Sequence, residues 1–246
     1  MQAIILAAGV GNRLGELGHR PKSLLEFDGI SLLTRHLAAL DANGISRVTL
    51  CIGYCAEQIR AATTGVPLAL EFIENPAYRR GSVVSLWQVR AALTAGETVI
   101  LMDADVLYHP AMLQRLVTSA HGNCFLVDRD FIAGDEPVKL CVRNGALVEF
   151  RKQPEPTIAF DWCGESVGFF KFNPRCAHAL AELCDSYVRD GRLDEPYEEP
   201  IRDLIQAAQH PLGVEDITGV PWIEIDFPED IARAQSEILP RLKASL

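Results

Sequence analysis

The chain begins with an apolar run that breaks into a glycine-containing loop. Residues 3–8 are all apolar, and Gly9 and Gly11 follow at once. Six apolar residues are too few for a signal peptide or a bilayer span, so the run predicts a buried strand of a parallel sheet. The two glycines allow a sharp turn whose backbone N–H groups can face anionic oxygens. This start predicts an α/β fold with a phosphate-binding loop after its first strand.

Beyond this loop, strand-like apolar runs alternate with helix-like segments, a pattern typical of β-α-β units around a mainly parallel sheet. The first half is predicted to contain strands at residues 2–8, 47–53, 68–73, 98–102 and 122–127. Its helices are predicted at residues 31–43, 55–63, 82–95 and 110–119. We therefore expect a Rossmann-like, three-layer α/β/α fold with a mixed, mainly parallel sheet.

From about residue 135 the predicted strands become shorter. They occupy residues 138–142, 147–150 and 166–172. Asn144 and Gly145 lie between the first two, and this dipeptide favours the type I′ turn of a β-hairpin. Further helices are predicted at residues 174–190, 197–209 and 228–244. A last strand is predicted at residues 222–226. With 246 residues and no low-complexity linker, the chain is expected to form one domain.

Two cations accompany the glycine loop. Arg13 offers a planar set of donors, and Lys22, directly after Pro21, offers a flexible point charge. Together with the loop they suit a triphosphate. Two common glycine motifs do not match, because Leu14 stands where the dinucleotide fingerprint has its third glycine and no Gly-Lys-Ser/Thr sequence marks a P-loop.

Acidic residues follow two of the predicted strands. Asp103 and Asp105 lie at the carboxyl end of the strand at 98–102, which is where open α/β sheets bind ligands. Alternation along an extended strand points both to the same side. Glu224 and Asp226 form a second acidic pair that could converge on Asp105. Because Mg²⁺ prefers a few carboxylate oxygens together with phosphate and water, the sequence predicts a magnesium site here.

Charge and cysteine content exclude several classes of partner. The net charge of −10 and the absence of a basic run argue against a nucleic-acid partner and against an anionic membrane surface. The seven cysteines have no Cys-x-x-Cys spacing and cannot all pair within one chain, which argues against a disulfide framework and a zinc site. We expect a cytoplasmic protein without membrane insertion.

The residues quoted so far carry a family resemblance. The motif Leu-Ala-Ala-Gly-x-Gly-x-Arg-Leu at residues 6–14, followed by Pro21 and Lys22, resembles the signature of nucleotidyltransferases. These enzymes join an NTP to a phosphorylated acceptor and release pyrophosphate. The chain is similar over nearly its whole length to small cytidylyltransferases that act on phosphocholine or 2-aminoethylphosphonate. The further segments that carry this likeness are residues 74–78, 81–87, 103–105 and 224–230.

This resemblance implies a nucleotide-diphospho-sugar transferase type of fold, with a nucleotide-binding half at about 1–130 and an acceptor-binding half at about 131–246. It implies CTP as the favoured NTP and a Mg²⁺ ion shared by Asp105 and Asp226. The implied catalytic residues are Arg13, Lys22 and Asp105. The implied nucleotide-binding residues are Leu6, Ala8, Gly9, Gly11, Arg13, Lys22, Ser82 and Ser85.

The acceptor side follows from the chemistry of a cationic headgroup, which binds to aromatic faces and carboxylates. Such side chains in the second half include Trp162, Glu165 and Glu198. Lys152 is the predicted partner of the acceptor's phosphate group. No general base is required, because a phosphate monoester dianion is already a nucleophile for the α-phosphorus, and the protein then mainly positions groups and stabilises charge.

Alternatives to this hypothesis remain open. A sugar-1-phosphate or inositol-phosphate nucleotidyltransferase would share the mechanism, with a polyol-binding set of Asn, Asp and Glu in place of a cation-binding pocket. A catalytically silent regulatory module of the same fold could dispense with the metal carboxylates that are present here. A nicotinamide oxidoreductase is disfavoured by Leu14 and by Lys22. The sequence leaves the oligomeric state open, a homodimer included.

Overall fold

The computed structural model describes residues 1–11, 13–14, 19–132 and 134–244. Its strands are β1 (Gln2–Ala7), β2 (Glu26–Phe27), β3 (Ile30–Ser31), β4 (Arg47–Ile52), β5 (Ala69–Glu74), β6 (Val99–Asp103), β7 (Val106–Tyr108), β8 (Cys124–Asp128), β9 (Lys139–Arg143), β10 (Ala146–Arg151), β11 (Trp162–Phe172), β12 (Gly213–Asp216) and β13 (Trp222–Glu224). Its α-helices are α1 (Leu32–Ala42), α2 (Ala56–Ala62), α3 (Ser82–Gln88), α4 (Arg90–Leu93), α5 (Ala111–Thr118), α6 (Pro174–Arg189), α7 (Glu198–Gln206), α8 (Pro228–Arg233) and α9 (Leu239–Ala244).

A nine-stranded mixed sheet forms the centre of the described chain. Strands β5, β4, β1 and β6 run parallel to one another in that order. Strand β11 continues the sheet antiparallel to β6, and β8 and then β12 follow on its other edge. The mainly parallel mixed sheet that the sequence predicts is therefore confirmed.

Two apolar layers cover this sheet, one on each face. Ala3, Ile5 and Ala7 of β1 belong to a core cluster shared with α1 and α5, whereas Ile4 belongs to one shared with α6 and α7. A strand whose two faces are both covered must be apolar at successive positions, which explains the unbroken run at the start of the chain. The arrangement is the expected three-layer α/β/α fold.

Strand β11 changes partners partway along its length. Its first part, residues 162–165, pairs with β9, and its last part, residues 169–172, pairs with β6. Gly168 lies between the two parts, and β8 accompanies both. The β9–β10 hairpin is thus attached to the front part of one long strand. Asn144 and Gly145 have φ angles of 50° and 77°, which confirms the predicted type I′ turn.

Several elements differ from the prediction. The last predicted strand corresponds to β13, which ends at Glu224. It lies outside the main sheet and pairs antiparallel with β7. The predicted helix at 82–95 is divided into α3 and α4, and the terminal helix contains a π-helical turn at Ala234–Ile238 between α8 and α9. Strands β2, β3, β7 and β12 were not predicted.

No helix among the described residues is long and apolar enough to cross a membrane. Strands from both predicted halves share the main sheet. The assignment of nucleotide and acceptor to the two halves, and the single domain itself, stay predictions.

Candidate active site

The loop after β1 leaves space beside the sheet. A Cβ atom added to Gly11, whose φ is +68°, would lie 2.9 Å from Lys22 Cγ, so the missing side chain lets Lys22 pass close to the loop. A Cβ atom on Gly9 would meet no described atom within 4 Å. Asn12 and residues 15–18, which continue this loop, lie outside the described residues.

Lys22 lies between two carboxylates. It begins a short 3₁₀ helix at Lys22–Leu24, and its Nζ is 3.0 Å from Asp105 Oδ2 and 2.5 Å from Asp226 Oδ1. Burial alone would lower the pKa of Lys22, but the charges of the two carboxylates raise it well above its usual value. The lysine therefore carries a positive charge that these two aspartates hold in place.

Three acidic side chains converge around this lysine. One carboxylate oxygen from each of Asp105, Glu224 and Asp226 lies within 4.8 Å of the other two. The backbone fixes this arrangement, because the Ile225 N–H donates to the carbonyl oxygen of Asp105 at 2.9 Å. This set of donors fits Mg²⁺, which takes a few carboxylate oxygens at a time, and the Lys22 ammonium marks the position a cation would take. Asp105 and Asp226 are thus brought together, and Glu224 joins them.

Arg13 lies at the edge of the same cluster. Its Nη1 is 3.2 Å from Asp226 Oδ2 and 3.1 Å from Glu136 Oε2, and its guanidinium lies 5.2 Å from the centre of the Phe227 ring. The side chain is about half exposed. Both predicted phosphate-binding cations therefore face the carboxylate cluster.

A cavity of about 260 Å³ opens between the glycine loop and the acidic cluster. Its lining includes most of the residues that the resemblance assigns to the nucleotide: Leu6, Ala8, Gly9, Gly11, Lys22, Ser82 and Ser85. Arg13 is not part of this lining. The same cavity is bounded by Asp105, Glu224 and Glu198. The structure thus brings the predicted nucleotide side and the carboxylate cluster to one cavity.

The two predicted serines of this cavity already have protein partners. Ser82 Oγ accepts a hydrogen bond from the Tyr197 N–H at 2.8 Å, which links α3 to the start of α7. Ser85 Oγ accepts from Asn75 Nδ2 at 3.0 Å and is buried. Each hydroxyl keeps its own hydrogen atom to donate. Their roles in base recognition stay predictions.

Asp103 lines the same cavity as Asp105 but has different partners. Tyr197 Oη donates to Asp103 Oδ2 at 2.5 Å, and the side chain packs directly on Gly168 of β11, where an added Cβ would collide with it. Burial, followed by the nearby charge of Asp105, raises the pKa of Asp103 well above its usual value. Asp103 therefore connects β6 to the second half of the chain.

Two of the predicted acceptor residues line a second cavity, of about 600 Å³. Lys152 lies on one side of it, and Glu198 at the start of α7 lines both this cavity and the first one. Glu198 Oε2 is buried without a hydrogen-bond partner among the described residues, and burial raises the pKa of this carboxyl to about 7. Lys152 Nζ lies 2.9 Å from Glu136 Oε2.

The other two predicted acceptor residues lie elsewhere. Glu165 lines a third cavity, of about 260 Å³, together with Asp128 and Asp226, and burial, with the charge of Asp128, raises its pKa to about 7. Trp162 is half-buried and lines none of these three cavities, and the Arg129 guanidinium covers its ring at 4.6 Å. The structure therefore does not bring the four side chains into one pocket.

A domain model described as the MobA-like NTP transferase domain matches residues 3–192 of the chain. The chain belongs to this family. Nucleotidyltransferases of this family use an NTP and a phosphorylated acceptor, which agrees with the resemblance described above. The chain spans 39% and 52% of the length of two of the curated relatives that it matches.

Known members of this group differ in their acceptors. The chain is 27% identical over 251 residues to a CMP-5′-(3-aminopropyl)phosphonate synthase of Streptomyces rubellomurinus, covering 98% of this chain and 39% of that protein. It is 23% identical over 252 residues to a CTP:phosphoglutamine cytidylyltransferase of Campylobacter jejuni, covering 94% of this chain and 98% of that protein. The inositol-1-phosphate CTP transferase of T. maritima has the same fold, with a TM-score of 0.79, 21% identity and coverage of 100% and 97% of the two chains.

The structure adds residues to the site beyond those that the sequence analysis assigned to the metal and the nucleotide. Glu224 is two positions before Asp226, and the alternation along a strand was a signal that both would face one side. Tyr197 and Glu136 carried no comparable signal, because their contacts with Asp103 and Arg13 join segments far apart in the chain.

Proposed function

We propose that this MobA-like NTP transferase is a Mg²⁺-dependent cytidylyltransferase. It joins CTP to a small phosphorylated or phosphonylated amino-alcohol, of the phosphocholine or 2-aminoethylphosphonate type, and releases pyrophosphate. The observation that carries the proposal is the Lys22 ammonium held between Asp105 and Asp226 beside the glycine loop. The cytidylyltransferase among its relatives supports CTP as the nucleotide.

The carboxylates of Asp105 and Asp226, with Glu224, would hold the metal ion. Bound there, Mg²⁺ would supply charge neutralisation for the triphosphate. Lys22 lines the first cavity, so the phosphate groups of an NTP bound there would meet its ammonium. Arg13 lies outside that lining, beside Asp226, and would meet phosphate groups that extend from the cavity to the acidic cluster. Arg13 can offer two parallel hydrogen bonds, and Lys22 a point charge.

The chain's own residues then position two reactants. An oxygen of the acceptor's phosphate or phosphonate forms a bond to the α-phosphorus, and the bond from that phosphorus to the bridging oxygen of the β-phosphate breaks. The electron pair leaves with pyrophosphate. Since no proton has to be removed from a dianionic nucleophile, the cations' main contributions are orientation and electrostatic stabilisation of the transition state.

Glu198 supports an acceptor that carries an amine. Its Oε2 is buried without a partner among the described residues, and an unpaired buried carboxylate is unfavourable. An ammonium group would satisfy it. Because Glu198 borders both cavities, an acceptor bound in the second cavity could extend from this carboxylate towards the first. Lys152 is placed to contact the same molecule.

An inositol-1-phosphate acceptor is the second candidate. Asp135, Gln153 and Glu155 also line the second cavity and could accept hydrogen bonds from a polyol. The regulatory-module hypothesis is disfavoured by the intact set of Asp105, Glu224 and Asp226, since binding alone would not need three converging carboxylates.

Pyrophosphate release tests the proposal directly. The purified protein would be assayed with each of four NTPs, with and without Mg²⁺, against phosphocholine, phosphoethanolamine, 2-aminoethylphosphonate, inositol-1-phosphate and several sugar-1-phosphates. Selective release with CTP and an amine-bearing acceptor is expected. Release only with inositol or sugar phosphates would keep the reaction and replace the acceptor, and no release in any combination would reject the proposal.

A further inference from the structure

A fully buried histidine lies directly beneath the turn that carries Asp103 and Asp105. His36 of α1 has no exposed surface. Its Nε2 is 3.2 Å from the carbonyl oxygen of Ala104, the residue between the two aspartates, and its Nδ1 is 3.4 Å from Tyr108 Oη. The imidazole stacks on the Tyr108 ring with centroids 5.3 Å apart. His36 touches none of the three carboxylates of the cluster.

The direction of these hydrogen bonds follows from their partners. A carbonyl oxygen only accepts, so the proton is on Nε2 of His36. Burial lowers the pKa of His36 to about 4, so the ring is neutral at pH 7 and its Nδ1 is free to accept. Burial also raises the pKa of Tyr108 above its usual value, and the hydroxyl stays protonated and donates. A chain of two hydrogen bonds therefore runs from the Tyr108 hydroxyl through His36 to the carbonyl oxygen of Ala104.

These hydrogen bonds join α1 to β7 and to the turn that precedes β7. Tyr108 belongs to β7, which pairs with β13, and β13 ends in Glu224. The Asp105 carbonyl is held from that side by the Ile225 N–H. His36 holds the preceding carbonyl, that of Ala104. Two successive carbonyls of the turn are thus fixed by two different elements.

We propose that His36 is a positioning residue that sets Asp105 in register with Glu224 and Asp226 for the metal–nucleotide complex. The inference rests on the proposed function, because it assumes that the cluster binds a divalent cation with the NTP. Partners that orient metal ligands typically contribute 10- to 100-fold to affinity. His36 acts through a backbone carbonyl, so we expect an effect of about tenfold, at the lower end of that range.

Three variants separate positioning from general stability. His36→Leu removes both hydrogen bonds but keeps an apolar side chain, whereas His36→Gln keeps an N–H donor for Ala104. Leu40→Ala is the matched control, since Leu40 is fully buried on the same helix in the core cluster, without a role in the turn. It should lower the melting temperature without changing metal binding.

The experiment measures Mn²⁺ binding in the presence of CTP and in the absence of acceptor. Binding is monitored through the electron paramagnetic resonance signal of free Mn²⁺. We expect about tenfold weaker Mn²⁺ binding for His36→Leu, recovery to within about threefold for His36→Gln, and wild-type binding for Leu40→Ala. Wild-type affinity in His36→Leu, or equal losses in His36→Leu and Leu40→Ala, would overturn the inference.

If His36→Leu does not fold, Tyr108→Phe tests the same chain by removing only the hydroxyl that orients the ring. Weaker Mn²⁺ binding is expected for Tyr108→Phe, and wild-type binding in this variant would reject the positioning role. Failure of the proposed function would look different. In that case the wild-type protein would bind no Mn²⁺ with CTP, and the inference would fall with it.

Discussion

The position of Lys22 makes a prediction about metal binding in the absence of nucleotide. Lys22→Met keeps most of the apolar stem but removes the ammonium that lies 3.0 Å from Asp105 and 2.5 Å from Asp226. Loss of one partner of a buried ion pair typically costs about 3–5 kcal/mol. Because the side chains of both aspartates are partly exposed, at 20% and 26%, we expect the lower value, about 3 kcal/mol. For a chain of this size that corresponds to a fall in melting temperature of roughly 6–12 °C.

Mg²⁺ should reverse much of this loss in the variant. Three carboxylates that repel one another gain a divalent partner, and a ligand at about 100 times its dissociation constant stabilises the folded state by about 2.7 kcal/mol. In the wild-type protein Mg²⁺ must compete with the ammonium, so its effect should be smaller. Scanning calorimetry in EDTA and in a series of Mg²⁺ concentrations, at fixed protein concentration, measures the shift in melting temperature of the wild type and of Lys22→Met.

Lys171→Met is the control for this experiment. Lys171 is also buried, but its Nζ donates to the carbonyl oxygens of Val117 and Ser119 at 3.4 and 2.8 Å, away from the acidic cluster. Its replacement should lower stability by an amount that Mg²⁺ does not restore. Equal Mg²⁺ shifts in wild type and Lys22→Met would refute the idea that the lysine holds the position of the metal.

Three other variants give further predictions. Asp105→Asn should reduce turnover at least 100-fold by weakening the metal site, with an unchanged circular dichroism spectrum, and near-normal activity would contradict the metal assignment. Glu198→Gln should raise the KM for an amine-bearing acceptor about tenfold, by loss of a charge-assisted hydrogen bond, and leave the KM for CTP unchanged. The raised pKa of Glu198, about 7, also predicts that the wild-type acceptor KM rises as the pH falls below 7, when the carboxylate is protonated, and that this rise is absent in Glu198→Gln. The fully buried carboxylate of Glu149 has its Oε1 2.5 Å from Arg202 Nε. Arg202→Leu removes this ionic partner and should lower the free energy of unfolding, measured in urea, by about 3–5 kcal/mol. A loss below about 1 kcal/mol would contradict this expectation.

Local sequence signals were sufficient for most of the main sheet. The apolar run of β1 is long enough to show burial on both faces, and the Asn144–Gly145 pair defines its turn through backbone angles that few residues accept. Strand β7 could not be found in this way. It has three residues, and its pairing partner β13 lies much later in the chain, so its existence depends on a long-range contact.

In the candidate site, too, local sequence signals could be interpreted, whereas contacts between distant segments could not be predicted. Asp105 was predicted because ligands bind at the carboxyl ends of the strands of an open α/β sheet. Lys22, and the sharing of a metal ion by Asp105 and Asp226, were predicted from the family resemblance. The contacts of Lys22 with both aspartates were not predicted, since they depend on how β13 docks on β7. The separate surroundings of Trp162 and Glu165 were also beyond prediction, because side-chain chemistry alone does not give the cavity that a residue lines.

Strand β11 makes the β9–β10 hairpin replaceable in principle. The hairpin pairs only with the front part of β11, whereas the rear part, beyond Gly168, pairs with β6, the strand that carries Asp103. A hairpin grafted from a relative would therefore leave the register between β6 and β11 intact, provided that it keeps a carboxylate at position 149 for Arg202 of α7. Evolution and protein engineering can exchange the wall of the second cavity, which includes Arg151 and Lys152, as a cassette, while the edge of the sheet that holds the acidic cluster keeps its alignment.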